Sequence, residues 1–126
     1  MRATSWIAIV ASLALIATPL LARSADAPSP IEGRWIAPDA VIVIAPCPDR
    51  IGQLCGTVTS HEYIREAVGL VVLDGFVGGP QEWRGRSYDG ERHYAATAKV
   101  MAEKLSLRSC LAASLCETET WRRARR

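Results

Sequence analysis

The stretch VIVIAPCPDRIGQLCGTVTS, residues 41–60, contains a complete hairpin pattern. Its first four residues are all β-branched, which is typical of a strand. Residues 46–52 supply the proline, aspartate and glycine of a turn, and residues 53–60 return as the partner strand. Cys47 and Cys55 flank this turn, and neighbouring antiparallel strands bring Cα atoms close enough for a disulfide. The stretch therefore predicts a hairpin closed by a disulfide bond.

The two remaining cysteines, Cys110 and Cys116, form a second close pair. Four cysteines allow three pairings, and proximity favours Cys47 with Cys55 and Cys110 with Cys116. Each short loop would contribute roughly 2–3 kcal/mol of stability. The alternative is a zinc site of four thiolates, but neither pair has the short C-x-x-C spacing of common zinc sites. We expect two disulfides, no metal and no other cofactor.

Residues 1–24 have the features of a signal peptide. Arg2 gives a positive start, an apolar run follows over residues 6–17, and Ala22-Arg23-Ser24 offers small residues for cleavage after Ser24. Cleavage after Ala22 is the near alternative, and retention as an anchor is the other. The apolar run is shorter than the roughly 20 residues of a membrane span. An exported chain is also the setting in which disulfides persist.

Residues 25–126 have the length of one domain. Cleavage removes two of the 15 basic residues and leaves 13 against 13 acidic ones, and this balance gives no support for nucleic-acid binding. Residues 25–30 are expected to be a disordered leader, 31–123 the folded domain and 124–126 a basic tail that frays. Membrane contact is expected only through the transient signal peptide or weakly through this tail.

Short strands recur between turn signals along the domain, which is typical of a barrel or sandwich. Asp74-Gly75 is expected to end one strand, and Asp89-Gly90 to form a two-residue hairpin turn. About eight strands joined by short turns would pair antiparallel as a meander and close into a small β-barrel, which removes exposed edges. The predicted class is all-β, with a sandwich as the second architecture.

A set of short motifs occurs in one order along the domain. They are Gly33-Arg34-Trp35, Leu54-Cys55-Gly56, Trp83-Arg84-Gly85, Tyr88-Asp89-Gly90, Ser109-Cys110 and Thr120-Trp121-Arg122. This set resembles the exported bacterial family catalogued as domain of unknown function 2147. The resemblance implies a lipocalin-like barrel in the periplasm and no established activity. The chain also resembles lipocalins more loosely, through a Gly-x-Trp on the first strand and an arginine on the last. That resemblance implies barrel closure by Gly33, Trp35 and Arg122, with the arginine stacked on the indole as a cation–π contact.

Several aromatic residues are candidates for ligand or partner contact. Trp83 and Tyr88 have opposite parity on one strand, so one side chain faces inward and the other outward. Tyr94 shares a strand face with Ala96 and Ala98, whose small side chains would leave room inside. Trp121, like Trp35, is expected to anchor the core or to line a cavity.

Glu117 and Glu119 share a strand face with Trp121. This face is either solvated or a polar patch inside a cavity. Inside, the carboxylates would need cationic partners, for which Arg84 and Arg86 are the candidates.

No motif for catalysis is present. His61 and His93 have no spacing that defines a metal site or a base–nucleophile pair, and surface positions are their default. We therefore expect a non-enzymatic domain that binds a small apolar or amphipathic molecule. The alternative is a protein-interaction module of the cell envelope, such as a hydrolase inhibitor or a stress factor.

Overall fold

A computed structural model describes residues 28–125. The strands are β1 (Gly33–Ile36), β2 (Ala40–Pro46), β3 (Leu54–His61), β4 (Val71–Gly78), β5 (Glu82–Tyr88), β6 (His93–Met101), β7 (Lys104–Ala112) and β8 (Leu115–Arg123). A short 3₁₀ helix, Arg65–Ala67, lies between β3 and β4. The predicted signal peptide lies outside the described residues. Within residues 28–125, no helix has the length and apolar character needed to cross a membrane.

The strands form one closed barrel. Each strand pairs antiparallel with the next, and β8 returns to β1 through the pairs Trp35–Arg123 and Ile36–Arg122. The predicted all-β meander and its closure are confirmed. The sandwich alternative is wrong, because one continuous ladder of hydrogen bonds joins all eight strands.

Both predicted disulfides are present, with an S–S distance of 2.08 Å in each. Cys47–Cys55 spans the connection between β2 and β3, and Cys110–Cys116 joins β7 to β8. The sulfur atoms of Cys47 and Cys55 lie close to the carboxylate of Asp74. The bonded sulfurs are not thiolates, however, and Asp74 pairs with Arg50. This cluster is therefore an ion pair beside a disulfide.

The barrel has a closed end, at which β1 begins and β8 finishes. Trp35 is 0% exposed there, and its indole Nε1 donates to the Ile31 carbonyl at 2.8 Å. The guanidinium of Arg123 stacks over the Trp35 ring at 4.1 Å. The same guanidinium donates to the carbonyls of Glu32 and Pro30. The chain before β1 is thus held across this end.

The arginine over Trp35 is Arg123, so the assignment of Arg122 was wrong. Strand alternation explains the difference. Trp121 and Arg123 face inward on β8, and Arg122 between them is exposed. Arg123 pairs in register with Trp35, which places its side chain on the same inner face. Gly33 does lie at this end, where its missing side chain leaves room for the Arg123 guanidinium.

Two local features differ from the sequence predictions. The leader expected over 25–30 lies partly outside the described residues, but Ser29 bonds to Glu32 and Pro30 bonds to Arg123. These two residues belong to the folded domain.

β4 continues past Asp74 to Gly78 instead of ending at Asp74-Gly75. A register shift against β5 follows Asp74, and this β-bulge lets the strand bend and continue.

Candidate functional site

A cavity of about 1050 Å³ lies at the open end of the barrel, opposite Trp35. Residues from the β1–β2, β3–β4, β5–β6 and β7–β8 connections line it. These are the four connections that meet at one end when eight strands alternate in direction. The β1–β2 and β3–β4 connections are joined by a hydrogen bond from the Glu62 amide to the Asp39 carbonyl.

The distribution of large side chains explains why this end is hollow. Trp35, Phe76 and Trp83 are fully buried in the closed half. Towards the open end the inward positions of β5 and β7 carry Ser87 and Ser109, and β6 between these strands carries Ala96 opposite Ser109. Such small side chains leave space. The apolar walls of that space come from Ile42, Val58, Val72, Leu73 and Leu107.

Glu117, Glu119 and Trp121 all line the cavity, on the inner face of β8. Trp121 is 2% exposed and its Nε1 donates to Glu119 Oε1 at 2.7 Å. Both glutamates are largely exposed to solvent in the mouth. The two alternatives predicted for this face, a solvated surface or a polar patch inside a cavity, were therefore not mutually exclusive, because a cavity open to water is both polar and solvated.

The prediction that Arg84 and Arg86 pair with these carboxylates was wrong. Arg84 lies on the outer face of β5, where it forms an ion pair with Glu82 at 3.0 Å. Arg86 has the same parity and is also exposed. Their parity is opposite to that of Trp83 and Ser87, so the barrel wall separates them from the glutamates.

Ser87 is the polar residue that sequence reasoning missed. It is 6% exposed, and its hydroxyl lies 2.8 Å from the hydroxyl of Ser109. These serines are on β5 and β7. On β6 between them, Ser109 lies opposite the small Ala96 and Ser87 lies opposite Tyr94, so the two hydroxyls meet on a diagonal across β6. The sequence signal was present, since Ser87 has the inward parity of Trp83 and Ser109 has that of Leu107.

Tyr88 and Tyr94 lie at the rim of the cavity and line it. The Tyr94 hydroxyl donates to Asp89 Oδ2 at 2.6 Å, and the Asp89 carboxylate also accepts the amides of Glu91 and Arg92. The hydrogen bond from Tyr94, and then those amides, lower the pKa of Asp89 to about 2. The same bond raises the pKa of Tyr94. Residues 89–92 therefore form an ordered four-residue loop, longer than the predicted two-residue turn.

Trp83 is not a surface contact. It is 1% exposed and packs in the core beside Gly79, with Ala98 opposite it on β6. Tyr88 is the outward member of that strand, as opposite parity predicted. Its ring stacks on His93 with centroids 4.6 Å apart.

His61 lines the cavity, but its Nδ1 accepts the backbone amides of Tyr63 and Ile64. This nitrogen orders the start of the connection to β4. His93 lies on the exposed outer face of β6, against Tyr88. Neither imidazole has a hydrogen bond to a carboxylate or a hydroxyl within residues 28–125. The geometry assigns both a role in local structure.

A family model described as "Uncharacterized protein conserved in bacteria (DUF2147)" matches residues 33–123. The chain belongs to this family. The match begins at the first residue of β1 and ends at the last residue of β8, so it covers the whole barrel and its cavity. It confirms the resemblance carried by the ordered motifs. No match was found among curated proteins or among solved structures.

Proposed function

We propose that this domain is a non-enzymatic binding protein that holds a small apolar or amphipathic molecule in the open-end cavity. The observation that carries the proposal is the cavity itself, at about 1050 Å³. Small-molecule sites have volumes of roughly 300–1,000 Å³, with apolar walls and a few polar groups that orient the ligand. Here the walls are aliphatic, and Ser87, Ser109 and Glu119 supply polar groups.

The proposed location is the periplasm. Two disulfides persist in an oxidising compartment, and the chain belongs to a bacterial family. The predicted signal peptide agrees with export. A barrel closed at one end by Trp35 and Arg123 would admit a ligand from the opposite end only.

The test uses a neutral apolar fluorophore, N-phenyl-1-naphthylamine, titrated into the oxidised protein. A Ser109→Phe variant places an aromatic ring inside the cavity. Ser106→Phe is the matched control, because Ser106 lies on the same strand and faces the outer surface. We expect saturable binding to the wild type and to the Ser106 variant, and a loss of about tenfold or more in the Ser109 variant. Absence of binding, or equal binding by both variants, would reject the proposal.

A second candidate is a protein-interaction module of the envelope, for example a hydrolase inhibitor or a stress factor. Exposed apolar side chains around the mouth favour it, namely Tyr63, Ile64, Val68, Leu111 and Leu115. A photoreactive residue at Leu115 should then cross-link to one envelope protein. The same residue at Met101, which is exposed at the closed end, should not. Equal yields at both positions would speak against a specific surface.

A further inference from the structure

We infer that the ligand of this cavity is a cationic amphiphile, an apolar molecule that bears an ammonium or similar positive group. This inference rests on the proposed binding function and specifies its ligand class. Residues 28–125 contain 12 acidic and 12 basic residues. Five of the acidic residues line the cavity and no lysine or arginine does. These mouth carboxylates are Asp39, Glu66, Asp89, Glu117 and Glu119.

Within the described residues, the mouth carboxylates form no ion pair. Four ion pairs occur among residues 28–125, and none includes a mouth carboxylate. Arg65 and Arg92 lie on the same connections, but their exposed side chains do not line the cavity. Like charges gathered at one opening raise the local concentration of ligands of opposite charge. The opening therefore attracts cations and repels anions.

Glu117 and Glu119 are the carboxylates best placed to hold the positive group. They are two residues apart on one face of β8, so their Cα atoms are about 6.5–7 Å apart. Trp121 occupies one oxygen of Glu119 and thereby orients the carboxylate. The other oxygen of Glu119 and both oxygens of Glu117 have no hydrogen-bond donor within the described part of the chain. The Trp121 ring that also lines the cavity can add a cation–π contact.

The serine pair offers a ligand one hydroxyl donor inside the cavity. Two hydroxyl groups carry two hydrogens, and the 2.8 Å contact between Ser87 and Ser109 uses one of them. The second hydrogen has no acceptor among residues 28–125, and Ser109, which is only half-buried, can direct it into the cavity. A ligand oxygen in the cavity would satisfy it.

The serine pair and the carboxylates are neighbours. Ser109 pairs in register with Glu117, and residues opposite each other in an antiparallel pair have Cβ atoms about 4.5–5.5 Å apart. The cavity thus offers a hydroxyl donor and an anion a short distance apart, above aliphatic walls. The matching ligand has an apolar body, a positive group at the mouth and an oxygen acceptor near it.

The experiment compares three ten-carbon probes below their micelle-forming concentrations, namely decyltrimethylammonium, 1-decanol and decanoate. Binding is measured by competition against N-phenyl-1-naphthylamine. We expect the ammonium to bind about five- to tenfold more tightly than the alcohol, since partly exposed charge pairs each contribute modestly. Decanoate should bind most weakly. The advantage of the ammonium should shrink as salt is raised.

Two double variants show whether the mouth is responsible. Glu117→Gln with Glu119→Gln should bring the ammonium to within about twofold of the alcohol, because both nearby charges are gone. Asp49→Asn with Glu103→Gln removes the same charge at the closed end, from two highly exposed side chains. This control variant should still prefer the ammonium to the alcohol as strongly as the wild type does.

The outcomes separate this inference from the proposed function. If all three probes bind equally, or if the two double variants behave alike, the cationic ligand class is overturned and cavity binding stands. If no probe binds and the neutral fluorophore also fails, the proposed function falls and the ligand class falls with it.

Discussion

Replacement of Arg123 by alanine should destabilise the barrel strongly, whereas replacement of Arg122 should not. The Arg123 guanidinium lies 4.1 Å from the centre of the Trp35 ring. It also donates to the Glu32 carbonyl at 2.8 Å and to the Pro30 carbonyl at 2.6 Å. Arg122 has an exposed side chain on the outer face of the same strand.

The magnitude follows from those contacts. A cation–π contact contributes about 0.5–2 kcal/mol, and each hydrogen bond from a charged donor about 1.5–3 kcal/mol. The Arg123 side chain is 27% exposed, and water can reach part of what is lost. We therefore expect Arg123→Ala to lower the free energy of unfolding by about 2–4 kcal/mol, below the simple sum of these contributions. Arg122→Ala should change it by about 0.5 kcal/mol or less.

The assay is urea unfolding of the oxidised protein, followed by tryptophan fluorescence. An Arg123→Lys variant separates charge from geometry, because lysine keeps the charge and loses the planar group that bonds two carbonyls at once. It should fall between the wild type and the alanine variant. If Arg122→Ala is the more costly change, or Arg123→Ala costs less than about 1 kcal/mol, the account of the closed end is refuted.

Three further predictions concern the wall, the rim and the first hairpin. Gly85→Ala should be strongly destabilising, because its Cβ would lie 2.9 Å from backbone atoms of β4, and urea unfolding measures the loss. Asp89→Asn should lower stability near neutral pH, because the native pKa of about 2 lies below the usual value for aspartate. That contribution is complete above about pH 4 and is lost as the pH falls towards 2, so the unfolding midpoints of variant and wild type should converge in acid. Removing Cys47–Cys55 by serine substitution should cost about 2–3 kcal/mol from loop closure and leave fluorophore affinity unchanged, since this bond lies at the closed end.

Each of these predictions has a matched control. For Gly56→Ala the three nearest atoms all belong to the Leu73 side chain, at 3.1 Å, so it should cost less than Gly85→Ala; the reverse order would contradict the packing of β4 on β5. For Asp89, a constant difference between variant and wild type from pH 6 to pH 2 would exclude the carboxylate as the source. For the first disulfide, removal of Cys110–Cys116 is the comparison, because that bond adjoins the cavity and its loss should weaken binding.

The closed barrel could be predicted from the sequence because its causes are local. Residues 41–60 contain a strand, a turn, a partner strand and the two cysteines that join them. The same pattern recurs at Cys110 and Cys116, and short connections force neighbouring strands to run antiparallel. Parity also predicted that Glu117, Glu119 and Trp121 share a face. These conclusions needed only spacing and residue type.

The errors about which side chains face inward have one physical origin, which is register between strands. Assigning Arg122 or Arg123 to Trp35 depends on a one-residue shift, and such a shift moves every side chain to the other face. The same ambiguity made Trp83 a candidate contact, although its face points into the core. The β4 bulge and the four-residue loop at Asp89 alter register too, and neither follows from local turn signals.

The sequence by itself determined a disulfide-closed, antiparallel domain, because hydrophobic alternation, turn residues and cysteine spacing act over short distances. Only the tertiary structure decided which positions meet inside. The sheet brings the strands side by side and thereby creates the contact between Ser87 and Ser109 and the cavity lined by Trp121. It also leaves Glu117 and Glu119 without an ion pair among residues 28–125. The candidate function depends on those contacts, because a cavity is defined by what several distant segments together leave unfilled.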